Sequence, residues 1–180
     1  MKLRVMTLIA GLFASALVPA AGTGRDPAGY FFQETFGDFH EELAQARAEQ
    51  QQAILIFFEQ EDCPFCHRMK TTILNQPAVQ DYFREHFRIF SVDVEGDLDI
   101  TDFNGRPTTQ KDFAFKQFKV RATPVFAFFD LDGKLIARHT GPTSDIQEFL
   151  WLGEYVADGH FRTENFTRYK LEKRGQTPGG

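Results

Sequence analysis

The chain has 180 residues, a formal net charge of −5 and a hydrophobic fraction of 42%. This length and composition suit one globular domain, and the negative charge, without any cluster of Lys and Arg, argues against a nucleic-acid partner. Phenylalanine is unusually frequent at 21 residues. A core rich in aromatic rings is therefore expected to stabilise the fold without a structural metal.

The first twenty residues have the pattern of a signal peptide. Lys2 and Arg4 precede an uncharged apolar stretch, residues 5–18, which is short for a membrane span. Small residues around Ala20 then offer a cleavage site. We predict a signal peptide over residues 1–20 and a soluble protein exported to the periplasm.

A small, polar linker is predicted over residues 21–30, followed by the folded domain at 31–171 and a disordered tail at 172–180. Residues 95–107 form an acidic insertion that is expected to be a solvated hairpin, and residues 158–171 are expected to pack back on the domain. Apolar periodicity predicts the following elements in chain order: a helix near 38–51, a strand at 53–59, helices at 64–74 and 78–86, a strand at 87–94, a helix from 109 to 118, a hairpin of strands at 125–129 and 134–139, and a helix that Thr143 or Ser144 caps and that ends near 157.

This order of elements predicts the class of the fold. Parallel strands joined by a helical crossover and followed by a hairpin give an α/β fold, in which a central mixed sheet has helices on both faces. The helix near 38–51 is an N-terminal addition to this sheet, and residues 158–180 are a C-terminal addition.

The two cysteines of the chain, Cys63 and Cys66, are separated by two residues and follow an apolar strand. A disulfide that closes so short a loop restricts the unfolded chain very little, so a stabilising role is weak and a chemical role is favoured. Pro64 suits the first turn of a helix, which places Cys63 at or beside its N-cap. The pair is therefore predicted to be a redox-active dithiol.

The helix N-terminus is expected to lower the pKa of the Cys63 thiol, because the N–H groups of Phe65 and Cys66 point toward its sulfur. Protonated His67 and Arg68 favour the thiolate, while Glu61 and Asp62 oppose it. Solvent screens these side chains, so the helix is expected to dominate. Cys63 would then attack a substrate disulfide, and the more buried Cys66 would resolve the mixed disulfide.

The chain resembles the thioredoxin superfamily over roughly residues 53–156. The resemblance rests on the apolar strand, on Cys63-Pro64-Phe65-Cys66, and on Ala122-Thr123-Pro124-Val125 ahead of the hairpin. It implies a thioredoxin-like fold and a thiol–disulfide oxidoreductase. It also implies that Pro124 is cis and faces the cysteines, and that Thr123 and Pro124 shape the groove for a partner's extended backbone.

Within the superfamily the chain looks most like the exported SoxW-type thioredoxins of sulfur-oxidation clusters. This narrower resemblance rests on Phe58-Glu59-Gln60, on the insertion around Asn104 and on the Phe-rich tail. It implies a monomeric reductant of other exported disulfide proteins, with a membrane thiol-electron donor and without a cofactor. No large helical insertion interrupts the fold, as a disulfide oxidase of the DsbA kind would have, although an oxidase remains the alternative.

Two positions depart from the cytoplasmic thioredoxin pattern. Phe57 stands where that pattern has a buried aspartate, and Asp62 stands where it has a tryptophan before the first cysteine. The usual proton acceptor is therefore missing. Either Glu59 or Glu61 could replace it, and the competing interpretation is a strand-end glutamate in water.

The motif admits three other interpretations. Cys63, Cys66 and His67 fit the C-x-x-C-H attachment pattern of c-type haem, but this pattern does not explain the preceding strand or the Thr123-Pro124 segment. Zinc needs four ligands, and the scattered histidines lack ligand spacing, so no metal site is predicted. A non-catalytic binding module would keep the fold without needing the cysteine pair. His67 is therefore interpreted as a residue that tunes the pair.

Overall fold

The computed structural model describes residues 24–176, so the predicted signal peptide and residues 177–180 lie outside the described part. The helices are α1 Pro27–Tyr30, α2 Phe39–Ala48, α3 Pro64–Thr72, α4 Pro77–His86, α5 Gln110–Asp112 with a following π-helical turn Phe113–Gln117, α6 Ile146–Ala157 and α7 Phe166–Gln176. The strands are β1 Ala53–Glu59, β2 Phe87–Asp93, β3 Asp99–Thr101, β4 Pro107–Thr109, β5 Val125–Phe129 and β6 Leu135–Thr140. None of the helices in this part of the chain is long and apolar enough to cross a membrane.

The main sheet has four strands in the order β2-β1-β5-β6. β1 and β2 are parallel, with Ala53 opposite Phe87, and α3 and α4 form the crossover between them. β5 runs antiparallel to both β1 and β6. This arrangement confirms the predicted mixed sheet of a thioredoxin-like α/β fold.

Both faces of β1 are buried, because its alternate side chains contribute to two separate cores. Leu55 and Phe57 belong to the cluster formed with α3, α4 and α6. Ile54, Ile56 and Phe58 belong to the cluster on the other face, with α2 and the π-helical turn. β1 is therefore held rigidly between two helical layers, and it fixes the position of the loop that follows it.

The predicted linker is wrong over its described part, residues 24–30. Asp26 caps α1 by accepting the N–H of Ala28, and the Arg25 guanidinium pairs with Asp81 at 2.6 Å. The Arg25 N–H also donates to the backbone oxygen of Asn75 at 2.8 Å. The small and polar residues of this segment suggested a flexible linker, but these contacts with distant residues hold it against α4.

The predicted hairpin is formed by β3 and β4 and extends two residues beyond the insertion at residues 95–107, but the insertion is not simply solvated. Ile100 and Phe103 are buried in the core that includes α2. Asp102 is 3% exposed, and its carboxylate accepts the N–H groups of Asn104 and Arg106. The acidic composition of the insertion suggested exposure to solvent. In the structure, the Asp102 carboxylate is buried because it accepts backbone N–H groups in the turn of the hairpin.

Two boundaries near the C-terminus also differ from prediction. Asp145, rather than Thr143 or Ser144, caps α6, with its carboxylate accepting the N–H of Glu148 at 2.8 Å. α7 continues to Gln176, so the prediction of disorder is wrong for residues 172–176. The helix persists because it packs on α6.

Residues 158–171 do pack back on the domain, as expected. The Tyr155 hydroxyl in α6 donates to the backbone oxygen of Glu164 at 2.7 Å, and Tyr169 in α7 is buried.

Gly153 is required where α6 crosses α4. A Cβ atom at this position would lie 2.8 Å from Cε1 of Tyr82 and 2.9 Å from Cζ of Phe83. Gly153→Ala is therefore expected to lower the free energy of unfolding by about 1–3 kcal/mol through overpacking. Denaturant titration measures this change, and Gly175→Ala is the control, since a Cβ at Gly175 in α7 meets nothing within 4 Å. Equal effects of the two substitutions would contradict the close approach of the helices.

Candidate active site

The two cysteines lie where β1 passes into α3. Cys63 is the N-cap of α3, and Pro64 takes the first helical position, as the sequence predicted. The backbone N–H of Cys66 donates to the Sγ atom of Cys63 at 3.0 Å. Both residues are buried, with Cys63 6% exposed and Cys66 1% exposed, so Cys63 is the slightly more exposed of the two.

The two sulfur atoms form a disulfide with one another. A disulfide between Cys63 and Cys66 is the oxidised form of a redox dithiol, whereas a c-type haem site uses each sulfur for a bond to the porphyrin. The other three motif side chains are exposed: Phe65 is 56% exposed, and Pro64 and His67 are also exposed. An exposed aromatic ring between the cysteines gives a partner protein an apolar surface to contact.

Glu59 lies at the end of β1 and is held in an ion pair. Its Oε2 atom is 2.5 Å from Nζ of Lys70 in α3, and its Oε1 atom accepts a hydrogen bond from the Ser91 hydroxyl in β2. The Glu59 side chain is 15% exposed, so the interpretation of a free glutamate in water is wrong. Glu61, in contrast, is exposed rather than enclosed.

Sequence reasoning missed Lys70 and Ser91. Lys70 lies four residues after Cys66, one helical turn further along the motif helix, which is a signal that the sequence offers. Ser91 lies opposite Phe57 in the parallel register of β1 and β2. A cavity of about 820 Å³ beside α3 is lined in part by Glu59, His67, Lys70 and Ser91. His67 thus lines the same cavity as the ion pair.

The segment containing Thr123 and Pro124 packs against the loop that precedes Cys63. The peptide bond between Thr123 and Pro124 is cis. The Thr123 hydroxyl donates to Oε1 of Gln60 at 3.3 Å, and the backbone oxygen of Gln60 accepts the N–H of Cys63 at 3.3 Å. Gln60 therefore links the two segments, a role that the sequence did not reveal. The structure brings the predicted groove residues to the same end of the sheet as the cysteines.

An aromatic residue occupies the position that the cytoplasmic thioredoxin pattern gives to a carboxylate. Phe57 is fully buried and contacts the rings of Phe32 and Phe126, with centroid distances of 5.8 and 4.9 Å. Phe57, Cys63 and Cys66 belong to the same buried cluster. Within residues 24–176, no group of three or more His, Cys, Asp or Glu side chains could hold a metal ion.

Residues 39–157 match the sequence model of a family described as thioredoxin-like domain. The chain belongs to the thioredoxin-like domain family. This match covers β1, the cysteine motif, the Thr123-Pro124 segment and α6, and it ends before α7. Family membership and the Cys63–Cys66 pair together make this protein a thiol–disulfide oxidoreductase.

Solved structures show the same fold at low sequence identity. A thioredoxin-fold protein from Helicobacter pylori is 22% identical, with a TM-score of 0.58 over 71% of this chain and 88% of that one. A thioredoxin from Thermus thermophilus is 24% identical, with a TM-score of 0.54 over 71% and 87% of the two chains. A DsbH oxidoreductase is 18% identical, with a TM-score of 0.55 over 83% and 95%. No curated protein matches the sequence.

Proposed function

We propose that this thiol–disulfide oxidoreductase is a periplasmic reductant, which transfers electrons from a membrane thiol donor to disulfides in other exported proteins. The observation that carries the dithiol mechanism is the asymmetry of the pair, and the reductive direction rests on the sequence resemblance. Cys63 is the N-cap residue whose sulfur accepts the Cys66 N–H and is the slightly more exposed of the two, and Cys66 is buried one turn inside the helix. This geometry favours a thiolate at Cys63 and keeps Cys66 protonated until it is needed.

The reaction begins with the reduced protein. The Cys63 thiolate attacks one sulfur of the substrate disulfide, which forms a mixed disulfide and releases the other substrate sulfur as a thiolate. Cys66 then loses its proton and attacks Sγ of Cys63, which releases the second substrate thiol and forms the Cys63–Cys66 disulfide. The substrate gains two electrons, and a dithiol donor restores the reduced protein by the reverse exchange.

The proposed acceptor for the Cys66 proton is Glu59, because Phe57 cannot take a proton. Glu59 is largely enclosed, and its partner Lys70 lies one turn beyond Cys66 on the same helix. The Lys70 ammonium pairs with this carboxylate at 2.5 Å, which offsets the cost of enclosing it. Thr123 and Pro124 are the proposed contacts for the substrate backbone.

The narrower assignment to the SoxW type is part of the proposal and rests on sequence features. Export rests on the pattern in residues 1–20. The insertion, and the Phe-rich tail as far as residue 176, supported the resemblance and are ordered parts of the domain. We infer a monomer whose partners are exported disulfide proteins, among them proteins of sulfur metabolism.

The direction of transfer is tested by two assays on the same preparation. We expect the protein to accelerate insulin reduction by dithiothreitol and to give little acceleration of disulfide formation in reduced, unfolded ribonuclease A. The control is the double variant Cys63→Ser/Cys66→Ser, which should be inactive in both assays. Fast oxidation of ribonuclease A with slow reduction of insulin would replace the reductase by the DsbA-like alternative.

A further inference from the structure

The loop of residues 141–145 contacts two segments of the active site. The N–H of Gly141 donates to the backbone oxygen of Pro124 at 2.9 Å. The guanidinium of Arg68, two residues after Cys66 on α3, donates to the backbone oxygen of Ser144 at 3.0 Å. The loop therefore bridges the Pro124 segment and the motif helix, so a displacement of the loop would alter the spacing between them.

A buried carboxylate on α6 accepts a backbone N–H of this loop. Glu148, in the first turn of α6, is 3% exposed. Its Oε2 atom accepts the N–H of Ser144 at 3.4 Å and a guanidinium N–H of Arg174 at 3.2 Å, and its Oε1 atom accepts the Lys170 ammonium at 2.6 Å. Burial raises the pKa of Glu148, but the Lys170 and Ser144 donors outweigh burial and leave that pKa below its ordinary value.

Both cations come from α7. Lys170 and Arg174 are four residues apart, so they lie on the same face of this helix. α7 follows the end of the family match at residue 157, and the cysteines and Pro124 all lie within that match. The helix is therefore an addition to the common domain, and its charged face is directed at the residue that holds the 141–145 loop.

We propose that α7 is a brace that fixes the 141–145 loop for binding protein disulfides, with Glu148 as the positioning residue and Lys170 and Arg174 as its anchors. This inference takes its substrate, a protein disulfide, from the proposed function. The contact between α7 and the loop does not depend on that function. A small disulfide reaches Cys63 without filling the groove. Loosening the loop should therefore weaken the binding of a protein substrate and leave the chemistry at sulfur unchanged.

The test replaces both anchors, in the variant Lys170→Met/Arg174→Met. Hydrogen exchange at residues 141–145 should become about tenfold faster, because the buried Glu148 loses its charged partners. KM for insulin should rise about tenfold with kcat little changed, as expected when only binding is lost. Turnover of the small disulfide 5,5′-dithiobis(2-nitrobenzoate) and the reduction potential of the cysteine pair should stay as in the wild type.

The matched control is Lys173→Met. Lys173 also lies on α7, and its ammonium pairs at 2.6 Å with Glu154, which is one turn and a half further along α6 than Glu148. This control should alter neither the exchange of residues 141–145 nor KM. Lys170→Met alone, which leaves Arg174 on the carboxylate, should give an intermediate effect and does not depend on the folding of the double variant.

The outcomes separate this inference from the proposed function. Unchanged exchange at residues 141–145 in both anchor variants would overturn the brace, whatever the activity of the protein. Faster exchange with an unchanged KM for insulin would overturn the role of the loop in partner binding. If the wild type fails to reduce insulin, the reductase proposal fails, and the exchange experiment still decides whether α7 holds the loop.

Discussion

Cys63→Ser is expected to abolish disulfide reduction, whereas Cys66→Ser is expected to stop the reaction at the mixed disulfide. Cys63 supplies the nucleophile, so its loss should lower turnover by about 10³-fold or more. Cys66 acts only in the second step. Without it, Cys63 still attacks a substrate disulfide but the covalent complex is not resolved.

Intact mass spectrometry after mixing each variant with insulin distinguishes the two cysteines. The Cys66→Ser variant should carry the mass of a whole insulin molecule, because the second interchain disulfide still joins the two chains, and dithiothreitol should remove it. The Cys63→Ser variant should carry none, because Cys66 is 1% exposed and its sulfur is covered. Accumulation of the adduct on Cys63→Ser, and not on Cys66→Ser, would reverse the assigned roles.

Arg88→Met is expected to lower the free energy of unfolding by about 3–5 kcal/mol, because it leaves a buried carboxylate without its partner. Arg88 in β2 donates to Oε2 of Glu42 at 2.6 and 3.0 Å and to the Glu49 carboxylate at 2.8 Å. The side chains of Arg88 and Glu42 are 10% and 11% exposed. This network ties α2 to the sheet, on the face away from α3.

Urea titration measures this loss, and two further variants control it. Lys116→Met removes an exposed pair with Asp112, whose side chains are 69% and 40% exposed, and should cost no more than about 1 kcal/mol. Glu42→Gln combined with Arg88→Met removes the uncompensated charge and should recover part of the loss. A cost for Arg88→Met as small as that for Lys116→Met would contradict the burial of the network.

The sequence predicted the cysteine site well because its signals are local. An apolar strand, a proline at the first helical position and a cysteine before it define the strand–turn–helix without reference to distant residues. The hairpin of β5 and β6 was predicted in the same way, from the local pattern of residues 125–139. Thr123 and Pro124 required the family resemblance, since nothing local shows that they meet the loop before Cys63.

The contacts of the residues that surround the site could not be predicted, because their partners are remote in the sequence. Glu59 was singled out, but its pairing with Lys70 and Ser91 depends on the packing of α3 and β2 at the end of β1. The sequence pattern places Glu148 on an amphipathic helix, where a glutamate is ordinarily exposed. It is buried because α7 packs back on α6.

Composition misled for a similar reason at both ends and in the insertion. Residues 24–30, 95–107 and 172–176 are rich in polar or small residues, which is typical of solvated segments. In the structure, Arg25 pairs with Asp81, and Phe103 enters a core. Whether a polar segment is ordered depends on contacts with distant partners, which composition does not contain.

The reduction potential of the Cys63–Cys66 pair, measured by equilibration with glutathione buffers, tests the reductase account most directly. The account predicts a value near that of thioredoxin, about −270 mV, which lets the dithiol reduce other exported proteins. A value near that of DsbA, about −120 mV, would mean that the pair accepts electrons from its partners, and would contradict the account.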